Sequence, residues 1–402
     1  MLLGVWIARY LGPEQFGLLN YSTAIVALFS AIASGGLNGT VARDLIDKPE
    51  AGPFTLGAGF ALQLAGILVA ITLSILAINI LRPEDSLAKL IVLVLSSAFL
   101  FRASDPIRYW FESRVQSRYI VSVEVGAFLL VAVLKISLVL SGAPLMTFVW
   151  AVFIESSIVG FFLVVVYLRV GGRISTWRFS FARILRLFND SWPLILSGVT
   201  VMIYMRIDQV MLGQMLGDES VGVYTAALRI SEVWYFIPTA IIVSVFPSIV
   251  AAKKHSEALY LRRMQSLYNL MVLLALAVAI PLTLLSPWII QFLFGNSYSS
   301  AGPVLAIHIW GSVFVFLGLA SSSSYLVENL QLLALARTLV GALINIVANL
   351  LLIPTLGIIG AAIGTLLSQI AAAFLFDAFY AKTRPHFWMK LKSFFLFHQL
   401  RF

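Results

Sequence analysis

The sequence contains no cysteine, only four histidines and few charged residues for its length of 402. The absence of cysteine excludes disulfides, thiolate metal sites and cysteine nucleophiles. Four scattered histidines offer no cluster of metal ligands, and we expect no cofactor. Charged residues make up 11% of the chain and hydrophobic residues 60%, whereas an average soluble domain has about 25% charged residues. This composition excludes an ordinary soluble protein and predicts a polytopic membrane protein.

Long apolar runs predict membrane-spanning α-helices. A helix needs about 20 apolar residues to cross a membrane, and it satisfies its own backbone hydrogen bonds there. The two-residue alternation of an outer-membrane barrel is absent. We predict full spans at 16–38, 54–81, 87–111, 119–140, 145–168, 188–213, 222–250, 266–294, 303–327, 332–353 and 357–381. The segment ahead of them, Met1–Ala8, is too short to cross.

Basic residues collect in one set of alternating connections. The opposite set holds only Arg9, Arg82 and Lys89. This bias predicts that the basic connections and the C-terminus lie in the cytoplasm. It also accounts for the net charge of +9, so we expect no nucleic-acid partner.

A short internal repeat indicates two similar halves. Leu11–Leu18 aligns without gaps on Leu216–Val223, at a constant offset of 205, with Leu, Gly, Glu and Gly identical. Chance is the alternative, because membrane sequences are rich in Gly and Leu. A real repeat predicts two parallel six-helix halves around a central cavity. The same offset requires a whole span before the first copy, so we expect about 12 helices with the first one truncated.

The longest polar connection divides the chain. We predict an N-terminal helix bundle at 1–168 with an incomplete first span, and a basic cytoplasmic linker at 169–187. A C-terminal six-helix bundle follows at 188–381, and an amphipathic cytoplasmic tail at 382–402. The tail mixes aromatic residues such as Trp388 with Lys390 and Lys392, which is typical of a helix lying at the membrane surface.

Ionisable residues inside one predicted span share a helix face. Arg102, Asp105 and Arg108 recur at every third position, with Glu112 four residues further on. Such residues are costly in a membrane and usually face a partner or a cavity. A salt-bridged ladder is one interpretation. The other is that two arginines against one aspartate leave a cation that attracts an anionic ligand.

Two later spans carry further charges. Arg206 and Asp208 are two residues apart and do not share a helix face, whereas Arg229 and Glu232 can share one. Pairing of Asp208 with Arg229 across helices is the structural alternative to a binding role.

Other polar residues in the spans leave alternatives open. Glu155 either carries a coupling proton or pairs with Lys135. His308 is more typical of a hydrogen-bonded packing residue than of a proton relay. The run Ser321–Ser324 and the glycines of Gly357–Gly364 indicate close helix packing, with a polar path as the alternative.

The connections on the external side are short, and no segment resembles a phosphate-binding loop, a nucleophile elbow or a metal motif. A membrane glycosyltransferase or polymerase would normally need a sizeable loop that carries carboxylates or histidines. We therefore expect a transporter rather than an enzyme.

Three stretches carry a resemblance to a known family. They are Ala8–Gly17, Asp208–Gly213 with its continuation through Val221–Ala227 to Trp234, and Leu356–Ala362. On these residues the chain resembles the Wzx-like polysaccharide biosynthesis or O-antigen flippase family. That family belongs to the multidrug/oligosaccharidyl-lipid/polysaccharide exporter superfamily.

The resemblance implies a flippase of the inner cell membrane that moves an undecaprenyl-diphosphate-linked oligosaccharide to the outer leaflet by alternating access. It would serve the synthesis of a surface polysaccharide such as O-antigen of lipopolysaccharide. Its implied partners are the lipid-linked oligosaccharide, the bilayer, and a polysaccharide polymerase with its chain-length machinery.

Arginines match a diphosphate with forked hydrogen bonds. Our hypothesis is that the substrate-binding residues are Arg9, Arg102, Arg206 and Arg229. The carboxylates expected to tune the site or to carry a coupling ion are Asp105, Glu155, Asp208 and Glu232. The alternatives are an ion-coupled drug antiporter, whose cavity would be dominated by acidic residues, and a peptidoglycan-precursor flippase.

Overall fold

The computed structural model describes residues 2–396, which are helical or lie in short connections, with no strand in this range. Residues 397–402 of the predicted tail, including Arg401, lie outside the described residues. The first helices are α1 Leu2–Leu28, α2 Ser30–Ala33, α3 Thr40–Asp47, α4 Gly52–Leu81, α5 Ser86–Ser97, α6 Asp105–Ser113, α7 Ser117–Leu140, α8 Leu145–Arg169 and α9 Phe181–Met215. The others are α10 Asp218–Glu232, α11 Phe236–His255, α12 Glu257–Phe294, α13 Ala301–His308, α14 Gly311–Val327, α15 Gln331–Leu356, α16 Ile358–Ile370, α17 Phe376–Phe379 and α18 Arg384–Leu396.

Ten helical stretches within the described residues are long and apolar enough to cross a membrane. They confirm the predicted spans from 54–81 onward. Their bounds are Pro49–Leu81, Ser86–Ser113, Ser117–Leu140, Leu145–Arg169, Phe181–Met215, Asp218–His255, Glu257–Phe294, Ala301–Val327, Gln331–Leu356 and Ile358–Phe379.

The predicted span 16–38 is not one continuous helix. The first helix, α1, is kinked at Gly12 and ends at Leu28, and the short α2 follows it. Gly35 and Gly36 then have φ of 60° and 61°. This left-handed backbone suits glycine and interrupts an α-helix. Hydropathy alone does not reveal such a break.

Matching turns support the internal repeat. Gly12 has φ 73° and ψ 170°, and Gly217, its counterpart at the offset of 205, has φ 86° and ψ 177°. Both glycines thus have the same non-helical backbone conformation. Each directly precedes a matching dipeptide, Pro13-Glu14 in the first copy and Asp218-Glu219 in the second. The two copies of the motif therefore build the same turn.

Two other turns also resemble each other in backbone conformation. Val115 and Asn329 have φ of 57° and 55° and each follows the end of a helix. The next amide in each case donates back to a carbonyl five residues earlier, Gln116 to Phe111 at 2.9 Å and Leu330 to Tyr325 at 2.8 Å. Both helices thus end in the same left-handed capping turn.

The chain forms two compact units. One contains Leu18–Val210 and the other contains Met1–Gly17 with Met211–Phe402. In the first unit, the segment after α8 is held against α4, because the Arg178 amide donates to the Pro53 carbonyl at 3.0 Å. The predicted bundle and linker boundaries at 168 and 188 stay a prediction.

The two copies of the repeat touch each other within the second unit. A Cβ added to Gly17 would lie 2.9 Å from the Gly222 amide nitrogen, and a Cβ added to Gly222 would lie 3.1 Å from the Gly17 amide nitrogen. A Cβ on Gly17 would also collide with the Asp218 carbonyl, and a Cβ on Gly222 would collide with the Pro13 carbonyl. These two carbonyls occupy equivalent positions in the repeat. This contact is symmetric because each copy packs its glycine against the first turn of the other.

The last helix, α18, belongs to the second unit and packs several polar side chains against the rest of that unit. His386, Lys390 and Ser393 are buried, whereas Trp388 and Phe395 are 53% and 73% exposed. The outer face is mixed, because Arg384 and Lys392 are exposed beside these two aromatic residues. A location at the membrane surface stays a prediction.

Candidate functional site

The unit Leu18–Val210 contains a polar cavity of ≈ 910 Å³ inside its membrane-spanning segments. Its charged lining residues are Arg102, Asp105, Arg108, Glu112, Glu124 and Glu155. Hydroxyl groups of Ser30, Ser34 and Ser156 add to the polar surface, and Phe101 and Phe128 to the apolar surface. A cavity of this size can accommodate a small molecule or the head group of a lipid.

A break in one span positions the first charges. The stretch Ala98–Ser104 is a 3₁₀-helix between α5 and α6, and Pro106 lies in the first turn of α6. Proline has no amide to donate to a carbonyl one turn earlier, so the α-helix cannot continue through it unchanged. Helix α8 packs closely on this stretch, because a Cβ on Gly160 would lie 2.8 Å from the Phe101 carbonyl oxygen.

Asp105 is the centre of the charge network, and it is only 7% exposed. Its carboxylate accepts from Arg102 Nε at 3.2 Å and lies 3.8 Å from Arg108 Nε. Gln63 Nε2 donates to the same carboxylate at 3.4 Å. The predicted face shared by Arg102, Asp105 and Arg108 is therefore confirmed.

Sequence reasoning missed Glu124, which comes from α7. Its carboxylate lies 2.6 Å from Arg108 Nη2, so the expectation of a cation without a partner is wrong for Arg108. The available signal was the presence of a carboxylate inside a predicted span. The partner could not be assigned because it belongs to another helix. With Glu124 and Glu112 included, four carboxylates and two arginines line the cavity.

Lys135 and Glu155 form an ion pair, with Nζ and Oε2 2.9 Å apart. The pairing of these two residues is therefore confirmed, and a coupling role of Glu155 stays a prediction. Glu155 also lines the cavity, so a ligand can reach one partner of the pair. Lys135 is 17% exposed and Glu155 32%.

The predicted residues Arg206 and Asp208 lie on α9 in the same unit. Asp208 is buried, and its Oδ1 accepts the Gln209 amide at 2.7 Å. Arg206 is partly buried and follows Met202, a lining residue of the cavity, by four positions. It therefore shares a helix face with the cavity wall.

The remaining predicted residues belong to the other unit. Arg229 lies over the Phe16 ring, with Cζ 4.8 Å from the ring centroid, and packs on Gly4 of α1. Arg9 is exposed and lies near Gly295, and Glu232 ends α10. The proposed arginines are thus divided between the units, two in each.

Polar packing accounts for two further sequence features. His308 Nδ1 lies 2.8 Å from Ser231 Oγ, which confirms its interpretation as a hydrogen-bonded packing residue. Ser321 and Ser322 accept from the guanidinium of Arg337 at 2.7 and 3.1 Å. Arg337 lies in α15, inside the predicted span 332–353, and is 9% exposed.

A buried polar cluster holds α18 in place. Tyr260 donates to Glu328 Oε1 at 2.7 Å, and His386 Nε2 lies 3.1 Å from the same atom. Burial raises the pKa of Glu328. The hydrogen bonds from His386 and Tyr260, with the charge of Lys253, outweigh that effect and lower its pKa below the ordinary value.

Lys390 of α18 forms a fully buried ion pair with Asp377 at 2.7 Å. The Tyr325 hydroxyl donates to the other oxygen of Asp377 at 2.6 Å. Lys390 also donates at 2.6 Å to the carbonyl of Ala373, which lies in a π-helical turn, Ala371–Leu375. Burial lowers the pKa of Lys390 to about 8.

Comparison with solved structures identifies the fold. An inward-facing multidrug resistance MATE family transporter of the MOP superfamily superposes with a TM-score of 0.79 at 16% identity, over 100% of this chain and 95% of that one. Lipid II flippase MurJ in an inward closed conformation gives 0.68 at 16% identity, over 98% and 89%. A MOP superfamily transporter from Pyrococcus furiosus gives 0.65 at 14% identity, over 99% and 92%. These likenesses show a shared all-helical transporter fold.

Two curated relatives come from Haloferax volcanii. "Probable flippase AglR" is 26% identical over 388 residues, covering 93% of this chain and 78% of that protein. "Probable low-salt glycan biosynthesis flippase Agl15" is 27% identical over 197 residues, covering 47% of this chain and 40% of that protein.

The sequence family described as "Polysaccharide biosynthesis protein" matches residues 1–253, more than half of the chain. This match includes the turn at Gly12, the charged cavity and the Asp208–Trp234 stretch on which the resemblance rested. The chain therefore belongs to the polysaccharide biosynthesis protein family.

Proposed function

We propose that this protein is a flippase that moves a polyprenyl-diphosphate-linked oligosaccharide, of the undecaprenyl type, from the cytoplasmic to the outer leaflet. The observation that carries the proposal is a charged cavity within membrane-spanning helices of a chain that is similar along 93% of its length to a probable flippase. Alternating access through the transporter fold would expose such a cavity to each leaflet in turn.

The proposed binding residues are Arg9, Arg102, Arg206 and Arg229. A guanidinium presents paired donors that fit phosphate oxygens, and it stays charged at any physiological pH. Arg102 is the strongest candidate, because it lines the cavity and is 35% exposed while its Nε contacts Asp105. Its Nη1 also donates to the Ser30 carbonyl at 3.4 Å, and a diphosphate in the cavity would approach the exposed part of the guanidinium.

The carboxylates Asp105, Glu155, Asp208 and Glu232 are proposed to tune the cavity or to carry a coupling ion. Asp105 and Glu155 each pair with a cation and line the cavity. A carboxylate that loses its partner when the cavity changes shape becomes available to a proton or a metal cation. That exchange would couple ion movement to substrate movement.

One observation favours a second candidate, an ion-coupled antiporter of small cations. The four carboxylates that line the cavity outnumber its two arginines. A lining with excess negative charge attracts cations. The other alternative, a peptidoglycan-precursor flippase, is supported only by the fold that this chain shares with MurJ.

The proposal places the protein in the cell membrane with its C-terminus in the cytoplasm, beside a polysaccharide polymerase and chain-length machinery. No catalytic step is proposed, since translocation needs no covalent chemistry. The relatives that support the proposal carry the word flippase in their names.

The proposal is tested with the purified full chain in proteoliposomes. One assay follows a fluorescent polyprenyl-diphosphate oligosaccharide until external reagent can modify it, and a second follows uptake of a cationic dye into the same vesicles. The Arg102→Gln variant should lose glycan flipping, and Arg118→Gln, at the exposed start of α7, is the matched control. Uptake of the cationic dye without flipping of the glycan would contradict the flippase proposal and support the antiporter.

A further inference from the structure

A second cavity, of ≈ 520 Å³, lies at one end of the unit Leu18–Val210, away from the charged cavity. Three connections meet there: the one between α3 and α4, the one between α6 and α7, and the one after α8. All three belong to the basic set of connections. None of their residues lines the charged cavity.

Two arginines line this cavity, Arg114 and Arg173. Within residues 2–396, neither forms an ion pair with a carboxylate, and no carboxylate lines the cavity. Arg183 at the same end differs, because it pairs with Asp44 at 2.7 Å. The cavity therefore holds two cations without a protein counter-charge.

The Arg114 guanidinium is held in place by an aromatic ring. Its Cζ lies 4.0 Å from the Trp110 ring centroid. Trp110 packs edge-on against Tyr167 at 4.9 Å, and Trp177 Nε1 donates to the Tyr167 hydroxyl at 3.2 Å. A cation over an aromatic face is oriented without being neutralised.

Glycine brings the second arginine to the cavity. A Cβ on Gly172 would collide with the Tyr167 ring, so only glycine lets this connection lie directly on the tyrosine. The next residue is Arg173, whose carbonyl accepts the Thr176 hydroxyl at 2.7 Å. This hydrogen bond closes the short turn that begins at Arg173.

The wall also contains the apolar residues Leu45, Pro49, Pro53 and Leu56, with Ser113 and Thr176 as further polar residues. Ile46, which also lines the cavity, is 60% exposed. Guanidinium groups beside exposed hydrocarbon match the two parts of a lipid at the interface: a phosphate and the start of its acyl chains.

We propose that this cavity binds the phosphate head group of an anionic glycerophospholipid. A lipid phosphate is also present in the polyprenyl carriers. The geometry points to the phospholipid, because the cavity lies at the connections, where head groups of the surrounding bilayer are abundant. This inference does not depend on which substrate the charged cavity transports.

The test measures lipid binding to the delipidated full chain by native mass spectrometry, with phosphatidylglycerol as the probe. We expect the double variant Arg114→Gln/Arg173→Gln to bind about tenfold more weakly or worse, because each arginine near a membrane surface contributes to anionic-lipid affinity. Arg118→Gln is the matched control: Arg118 lies in the first turn of α7, four residues after Arg114, with its guanidinium over the Tyr119 ring at 4.8 Å, and it does not line the cavity. Its binding should stay within about twofold of the unmodified chain.

The Arg114→Lys/Arg173→Lys variant is the control for misfolding. It changes the same two positions but keeps both charges, so it should retain most of the binding. Equal binding of phosphatidylglycerol and phosphatidylcholine would overturn the proposal. So would unchanged binding in the double glutamine variant, or a preference for polyprenyl phosphate or free pyrophosphate over phosphatidylglycerol.

Discussion

The reciprocal contact between Gly17 and Gly222 predicts a large cost for adding a single methyl group. In Gly222→Ala the new Cβ would collide with the Pro13 carbonyl and lie 3.1 Å from the Gly17 amide nitrogen. Both obstacles are backbone atoms, so no side chain can turn away. The two helices must separate, and the packing of small residues that holds membrane helices together is lost.

The magnitude follows from two opposing effects. Replacing glycine by alanine inside a helix stabilises it by about 0.5–1 kcal/mol. Overpacking a tight contact costs about 1–3 kcal/mol. Gly126 of α7 is the matched control, because a Cβ there has no atom within 4 Å. The gain in helix stability applies to both variants and cancels between them. Their free energies of unfolding should therefore differ by the overpacking cost alone, about 1–3 kcal/mol, with Gly126→Ala the more stable.

SDS-induced unfolding in mixed micelles, followed by tryptophan fluorescence, measures this difference. Combining Gly17→Ala with Gly222→Ala should cost less than the sum of the single changes, since the first substitution already separates the helices. Equal stabilities of Gly222→Ala and Gly126→Ala would refute the close contact. Strict additivity of the two substitutions would refute its reciprocal nature.

Three other predictions follow from the charged groups. Glu124→Gln leaves Arg108 with only its longer contact to Asp105 and removes one negative charge from the cavity, so it should favour anionic over cationic substrates in the paired vesicle assays; an unchanged ratio contradicts this. Lys390→Met leaves the buried Asp377 without its cation and should lower the free energy of unfolding by about 3–5 kcal/mol, whereas a cost below about 1 kcal/mol would show that the pair is not buried in solution. Glu328 has a lowered folded-state pKa, so its stabilising effect is complete above its unfolded pKa and is lost as the pH falls through the lower folded value; the hydrogen-exchange protection factors of α18, corrected for the intrinsic exchange rate, should therefore fall in acid, and Glu328→Gln should abolish that dependence.

The positions of the membrane spans could be read from the sequence, because crossing a bilayer is a local requirement. Each stretch must be about 20 residues long, apolar and self-sufficient in backbone hydrogen bonds, whatever its neighbours are. The same holds for the shared face of Arg102, Asp105 and Arg108, which depends only on helical periodicity. The repeated turn at Gly12 and Gly217 was also visible, since its residues are contiguous.

Pairing between helices was decided only by the tertiary structure. The partner of Arg108 is Glu124 on another helix, and helix rotation and depth, which no local pattern encodes, bring the two together. Likewise, the mixture of aromatic and basic residues in the tail does not reveal that Lys390 is buried against Asp377. A buried charge is stable only where folding supplies its partner, and that partner is distant in sequence. Composition and periodicity thus determined which segments enter the membrane, and packing determined which charges remain available to a ligand.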